Sequence, residues 1–126
     1  MSDQYAVIGN PIAHSKSPLI HQAFAQQCNE DILYTAELIP LDGLTEGLKQ
    51  LQALGFKGLN VTVPFKEQVW QSIVEKSEAA TLSGAVNTVI FRDDGSLYGD
   101  NTDGTGLCRD LMNNHHIELK NKRILL

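Results

Sequence analysis

Between Leu59 and Val74 the apolar residues change period. Leu59, Val61 and Val63 alternate as they do on one face of a strand, whereas Val69, Trp70, Ile73 and Val74 recur at helical spacing. Pro64 stands between the two patterns and cannot donate the next ladder hydrogen bond, so a strand must end and the chain must turn there. Asn60 and Thr62 then project from the strand face opposite Leu59 and Val61, and Lys66 falls in the first turn of the following helix. Helix N-termini favour anions, so a cation there is mildly unfavourable unless it serves an anionic or hydroxyl-bearing ligand. A solvated lysine beside an Asx/Thr turn accounts for the same residues.

The same alternation of strand and helix runs through the first half of the chain. Tyr5 to Ile8 reads as a short strand closed by Gly9-Asn10-Pro11. Ser15-Lys16-Ser17-Pro18 reads as a helix start, with Ser17 as N-cap and Pro18 at the first helical position, followed by an apolar face of Leu19, Ile20, Ala23, Phe24 and Cys28. Free backbone N–H groups and two hydroxyls at such a start can cradle a carboxylate or phosphate, although Ser17 as a cap and Ser15 as a solvated residue is the plainer reading. Ile32 to Leu38 is a second strand. Leu44, Leu48, Leu51 and Leu54 then form a core-facing stripe, opened by Asp42 as N-cap and closed by Gly55. Lys57 to Val63 is the third strand, and its helix extends to about Glu75 with Trp70 as a packing residue. Strands alternating with amphipathic helices define an α/β fold.

Farther along, a short helix over Glu78 to Leu82 leads through Ser83-Gly84-Ala85-Val86-Asn87-Thr88 into a strand from Val86 to about Arg92. Asp93-Asp94-Gly95 is a hairpin turn, and Leu97 to Gly99 is the returning strand. This hairpin makes the expected architecture a three-layer α/β sandwich with a mixed, mainly parallel sheet. Asp100 to Gly106 is a polar loop entering a helix whose apolar face is Leu107, Leu111 and Met112. Its glycines suggest close backbone approach by a ligand or a neighbouring helix, and capping by Asp or Thr is the plainer reading. Adjacent His115 and His116 point in different directions on a helix, and His14 and His21 offer no better spacing, so no metal site is expected.

A chain of 126 residues with a formal charge of −5 is large enough for a real core and carries no basic cluster, which argues against a general nucleic-acid or membrane-surface binder. It has neither a bilayer-length apolar run nor a signal sequence, and Cys28 and Cys108 fit no metal or redox spacing. A cytoplasmic protein with both cysteines as packing residues is the expectation. Lys120 to Arg123 reads as a basic turn, and Ile124-Leu125-Leu126 as the opening of a further parallel strand. Residues 1–120 are therefore expected to form one domain and 121–126 to begin another.

Four motifs together resemble the shikimate dehydrogenase family, in its order and at compatible spacing. They are Ser15-Lys16-Ser17-Pro18, Asn60-Val61-Thr62-Val63-Pro64-Phe65-Lys66, Gly84-Ala85-Val86-Asn87-Thr88 and Asn101-Thr102-Asp103-Gly104, and they extend across most of the chain. The resemblance implies a domain that binds shikimate or 3-dehydroshikimate, joined in the family to a Rossmann domain that binds NADP. It assigns the substrate carboxylate to Ser15 and Ser17, and the substrate hydroxyls to Thr62, Asn87 and Asp103 with Asn60 beside them. It makes Lys66 and Asp103 the catalytic pair. A lysine beside a carboxylate can take the hydroxyl proton or stay charged and stabilise alkoxide character.

No Gly-rich strand-to-helix turn for a pyrophosphate is present, and Gly104-Thr105-Gly106 lacks the third glycine, so the chain alone is expected to have no dehydrogenase activity. The Thr62 context resembles the shikimate-preferring branch rather than relatives that also accept quinate. A non-catalytic module that holds a hydroxylated carboxylic acid is the alternative, and a structural domain whose polar motifs are only caps and turns is another. Dimerisation through surface that meets the second domain in the family is a further expectation.

Overall fold

A computed structural model describes residues 1–125. The elements run β1 (Asp3–Gly9), α1 (Ser17–Cys28), β2 (Ile32–Leu38), α2 (Leu44–Ala53), β3 (Gly58–Val61) and α3 (Lys66–Ser72). They continue as β4 (Glu75–Lys76), α4 (Glu78–Ser83), β5 (Thr88–Phe91), β6 (Leu97–Asp100) and α5 (Asp103–Asn113). The six strands form one sheet in the order β2-β1-β3-β5-β6-β4. β1 pairs parallel with β2 and β3, β4 pairs parallel with β6, and β5 is antiparallel to both β3 and β6. Every strand except β5 therefore points the same way, which is the expected mixed, mainly parallel sheet.

Strand alternation sorts the side chains into two layers. Ala6, Ile8, Leu59, Val61, Val89 and Phe91 face the main core, where Leu44, Leu48 and Leu51 of α2, Val69 of α3 and Ala80 of α4 cover them. On the opposite face Val7 and Tyr34 pack with Ile12, Tyr5 and Ile32 beneath α1. Helices on both faces of one sheet give the three layers. Gly55, at φ +88°, reverses the chain after α2 in a conformation that disfavours side chains, and the Asp93-Asp94-Gly95 turn joins β5 to β6 as expected.

Local details depart from the sequence reading. Ser17 is the first helical residue of α1 rather than its N-cap; Lys16 holds the cap position, and Ser15 Oγ accepts from the Ser17 N–H at 3.2 Å. Gly43 rather than Asp42 precedes α2, because a Pro40–Gly43 backbone turn already steers the chain into the helix. α3 stops at Ser72, since Ile73 turns extended and Glu75–Lys76 adds a strand alongside Tyr98 and Gly99. Leu54, Val63 and Val74 are exposed, lying where each element has already left the core.

No residue of the face expected on α1 is buried, Leu19, Ile20 and Phe24 staying exposed; the helix buries only Ala25, which lies off that face, and α5 buries no residue. Cys28 and Cys108, on these two helices, are accordingly exposed free thiols rather than packing residues. A backbone turn closes from Lys122 to Leu119, and Ile124 and Leu125, where a further strand is expected to open, are in no strand. Leu126 lies outside the described residues. Among those residues no helix is long and apolar enough to cross a membrane.

Candidate functional site

The carboxyl ends of β1, β3 and β6 lie at one edge of the sheet. β5 runs the other way, so its beginning meets the same edge, with Thr88 opposite Asn60 and also opposite Asp100. The four segments that leave or enter there carry all but one of the sequence-predicted site residues: Ser15 and Ser17 after β1, Thr62 and Lys66 after β3, Asn87 before β5, and Asp103 after β6. Asn60 sits within β3 itself. Open α/β sheets place ligand crevices at this edge because loops diverge there.

Lys66 enters the site from the first turn of α3, as the change of period predicts. Phe65, completely buried, anchors that turn, and the Val86 N–H donates to the Lys66 carbonyl at 2.9 Å. Lys66 Nζ donates to Asp103 Oδ2 at 2.6 Å, with the two side chains 32% and 53% exposed. The pair is reachable from solvent but closely matched.

Asp103 is held by hydrogen bonds rather than by packing. Asn87 Nδ2 donates to Asp103 Oδ1 at 3.0 Å and to Thr102 Oγ1 at 2.9 Å, and Asn87 Oδ1 accepts from the Thr102 N–H at 3.0 Å. Asn101 completes the frame. Its Oδ1 accepts from the Asp103 N–H at 3.0 Å, and its Nδ2 donates to the Ala85 carbonyl at 3.0 Å and to Ser83 Oγ at 3.1 Å. Asn101 belongs to a recognised motif, but no local pattern assigns it these donor contacts, because their targets, Ser83 at the end of α4 and Ala85 just after it, are 18 and 16 residues away. The glycines of α5 are not explained by a neighbouring helix, since a Cβ on Gly104 or Gly106 would meet no atom within 4 Å.

Thr62 and Ser15 approach from the β1 side. The Thr62 N–H donates to the Ile8 carbonyl and the Asn10 N–H to the Val63 carbonyl, so the two strand exits run together. Gly9 is required at that contact, because an added Cβ would lie 2.7 Å from Thr62 Cγ2. The Val63–Pro64 and Asn10–Pro11 bonds here are both cis. Ser15 Oγ spends one lone pair on the Ser17 N–H, which leaves its proton free to donate. Asn60 Oδ1 accepts from the Tyr34 hydroxyl at 2.6 Å, and its Nδ2 lies 3.4 Å from both the Asn87 carbonyl and Thr88 Oγ1. Burial raises the Tyr34 phenol well above its usual range and lowers His21, whose ring stacks on Tyr34.

These features define an α/β domain with a polar site at the diverging ends of its strands, built around a lysine–carboxylate pair and rimmed by hydroxyl and amide groups. Residues 7–89 match the family described as the shikimate dehydrogenase substrate binding domain, and the chain belongs to that family. It is 56% identical over 98% of its length to the shikimate dehydrogenase (NADP(+)) of Hahella chejuensis, of which it covers 46%. The crystal structure of an Ael1 enzyme from Pseudomonas putida superposes at a TM-score of 0.91, with 43% identity over 97% of this chain and 45% of that one. Shikimate 5-dehydrogenase from Thermus thermophilus, solved with NADP(H) and shikimate, superposes at 0.85 with 36% identity over 94% of this chain and 44% of that one. The chain spans about half the length of the curated relatives it matches.

Proposed function

We propose that this chain is the substrate-binding and catalytic half of an NADP-dependent shikimate dehydrogenase, which interconverts 3-dehydroshikimate and shikimate. The observation that carries the reading is the Lys66–Asp103 pair at 2.6 Å, fixed by Asn87 and Asn101 at an edge where hydroxyl-bearing residues converge. Oxidising a secondary alcohol removes a hydride from carbon and a proton from oxygen, and a positioned acid–base group within hydrogen-bond reach handles the proton. Lys66 and Asp103 take up that proton in oxidation and return it in reduction. Thr62, Asn60 and Asn87 hold the ring hydroxyls. Ser15 and Ser17, beside the start of α1, hold the carboxylate.

When bound, NADP supplies the hydride acceptor. Gly104 and Gly106 do not supply its cradle, because they lie inside α5 rather than in a turn between strand and helix. In this reading residues 1–120 form the substrate domain, residues 121–126 lead towards a separate cofactor domain, and the chain alone turns over no substrate. The protein works in the cytoplasm on a small acid rather than on nucleic acid or a membrane, consistent with its charge of −5. Two copies associate through the surface that meets the second domain in the family. Sedimentation over a concentration range tests that association.

A backbone amide NMR titration with shikimate, and with quinate for comparison, tests the site. Saturable shifts at Ser15, Ser17, Asn60, Thr62, Asn87 and Asp103 are expected with shikimate. A folded, dispersed spectrum that shikimate leaves unchanged refutes a substrate site formed by this chain.

A further inference from the structure

Asn60 is the one proposed substrate contact whose amide is tied to the sheet face beneath α1. Tyr34 lies on β2, two strands from Asn60 in the sheet order. The register sets Tyr34 opposite Tyr5 and Asn60 opposite Val7, so Tyr34, Tyr5, Val7 and Asn60 share a face and the phenol reaches across β1 to the amide. Its hydroxyl donates to Asn60 Oδ1 at 2.6 Å from a residue only 7% exposed. The bonds at the other end of the amide, to the Asn87 carbonyl and Thr88 Oγ1, are both 3.4 Å long. The short bond therefore sets the amide's orientation and the long ones leave its N–H groups weakly engaged. On its other side the Tyr34 ring stacks face to face on His21, with centroids 4.2 Å apart and planes within 3°. His21 is four residues beyond Ser17 on α1, so it lies one turn along the same helix face as the proposed carboxylate contact.

We propose that Tyr34 is a positioning residue of the substrate site. It commits the carbonyl end of Asn60 inwards, so that Asn60 meets a substrate hydroxyl as an N–H donor, and it braces β3 against the helix that carries Ser17. A buried phenol that needed only a partner could take any backbone carbonyl, whereas this one takes a side chain of the site. The inference rests on the reading of Asn60 as a substrate contact.

Tyr34→Phe removes the hydroxyl and keeps the ring that stacks on His21. Two measurements on this chain test the proposal. Without ligand, the Asn60 side-chain amide resonances should move in Tyr34→Phe while the backbone spectrum stays dispersed, and an unmoved amide overturns the proposal. With shikimate, Tyr34→Phe should weaken binding about three- to tenfold, the scale of one hydrogen bond. Asn60→Ala should weaken it at least as much, and the double variant no more than Asn60→Ala alone. Additive losses, or unchanged affinity in Tyr34→Phe, overturn the positioning role. Binding that Ser17→Ala weakens and Tyr34→Phe does not would leave the proposed function standing without this inference. Absence of shikimate binding by the wild-type chain overturns both.

Discussion

Asp103→Asn separates what the Lys66 pair does for the fold from what it does for the chemistry. The carboxylate is half exposed and its lysine one-third exposed, so solvent screens their attraction and an ion pair of this kind contributes about 0.2–1 kcal/mol. Asp103 also occupies the first turn of α5, where a negative charge adds about 0.3–1 kcal/mol through the helix dipole. No apolar burial is lost with either, because α5 buries no residue. The expected cost is therefore below about 2 kcal/mol, whereas emptying a core position such as Leu48, which is 5% exposed, costs about 2–5 kcal/mol. Turnover should respond the other way. Acid–base groups contribute about a hundredfold or more, so Asp103→Asn, in a chain that also carries the cofactor domain, should lose about 3 kcal/mol or more of transition-state stabilisation. Turnover and kcat/KM should fall together, as when an interaction made only in the transition state is removed. Urea unfolding of this chain and steady-state kinetics of the longer one give the two numbers. A stability loss larger than that of Leu48→Ala, or turnover within a few-fold of wild type, would refute the assignment.

Asn101→Ala removes both the acceptor for the Asp103 N–H and the tie to Ala85, and should lower turnover about tenfold while changing stability by no more than about 2 kcal/mol, checked by the same pair of assays. Gly9→Ala pushes a methyl within 2.7 Å of Thr62 Cγ2 and 2.9 Å of Ile12 Cδ1, and overpacking of this kind should cost about 1–3 kcal/mol in urea unfolding. His21 should titrate below its ordinary 6.5, because burial disfavours the charged ring. The unfolded chain then takes up the proton first as pH falls, so the His21 contribution is complete above 6.5 and is lost as pH drops through 6.5 towards the lower folded value. Ring-proton NMR shifts against pH give the midpoint, and His21→Gln should flatten stability over that window.

Lys66 could be placed at a strand-to-helix turn from its neighbours alone, because Pro64 and the change from alternating to helical spacing leave the chain no other local course. The leucines at 44, 48 and 51, the Asp-Gly hairpin and the limits of β2 were legible for the same reason: they follow from periodicity and turn sterics within a few residues. Exposure on α1 was not. Its spacing promises a buried face, but burial depends on what lies opposite, and Ala25 alone of the helix is buried. β4 also escaped, since two residues carry no period and form a strand only because β6 offers a free edge. The four motifs were placed together by resemblance, and their residues alone do not say which of them touch.

The sequence by itself determined the elements, the α/β class and the chemical types available to the site, through backbone sterics and apolar periodicity. The tertiary structure decided who meets whom. The antiparallel insertion of β5 between β3 and β6 brings Asn87 to the strand ends that carry Lys66 and Asp103, and the register across β1 carries Tyr34 to Asn60. Lys66 and Asp103 are 37 residues apart in the chain, and no local rule encodes a hydrogen bond over that separation. Strand order supplies it, because pairing between distant segments is settled by the packing of the whole sheet rather than by either segment alone.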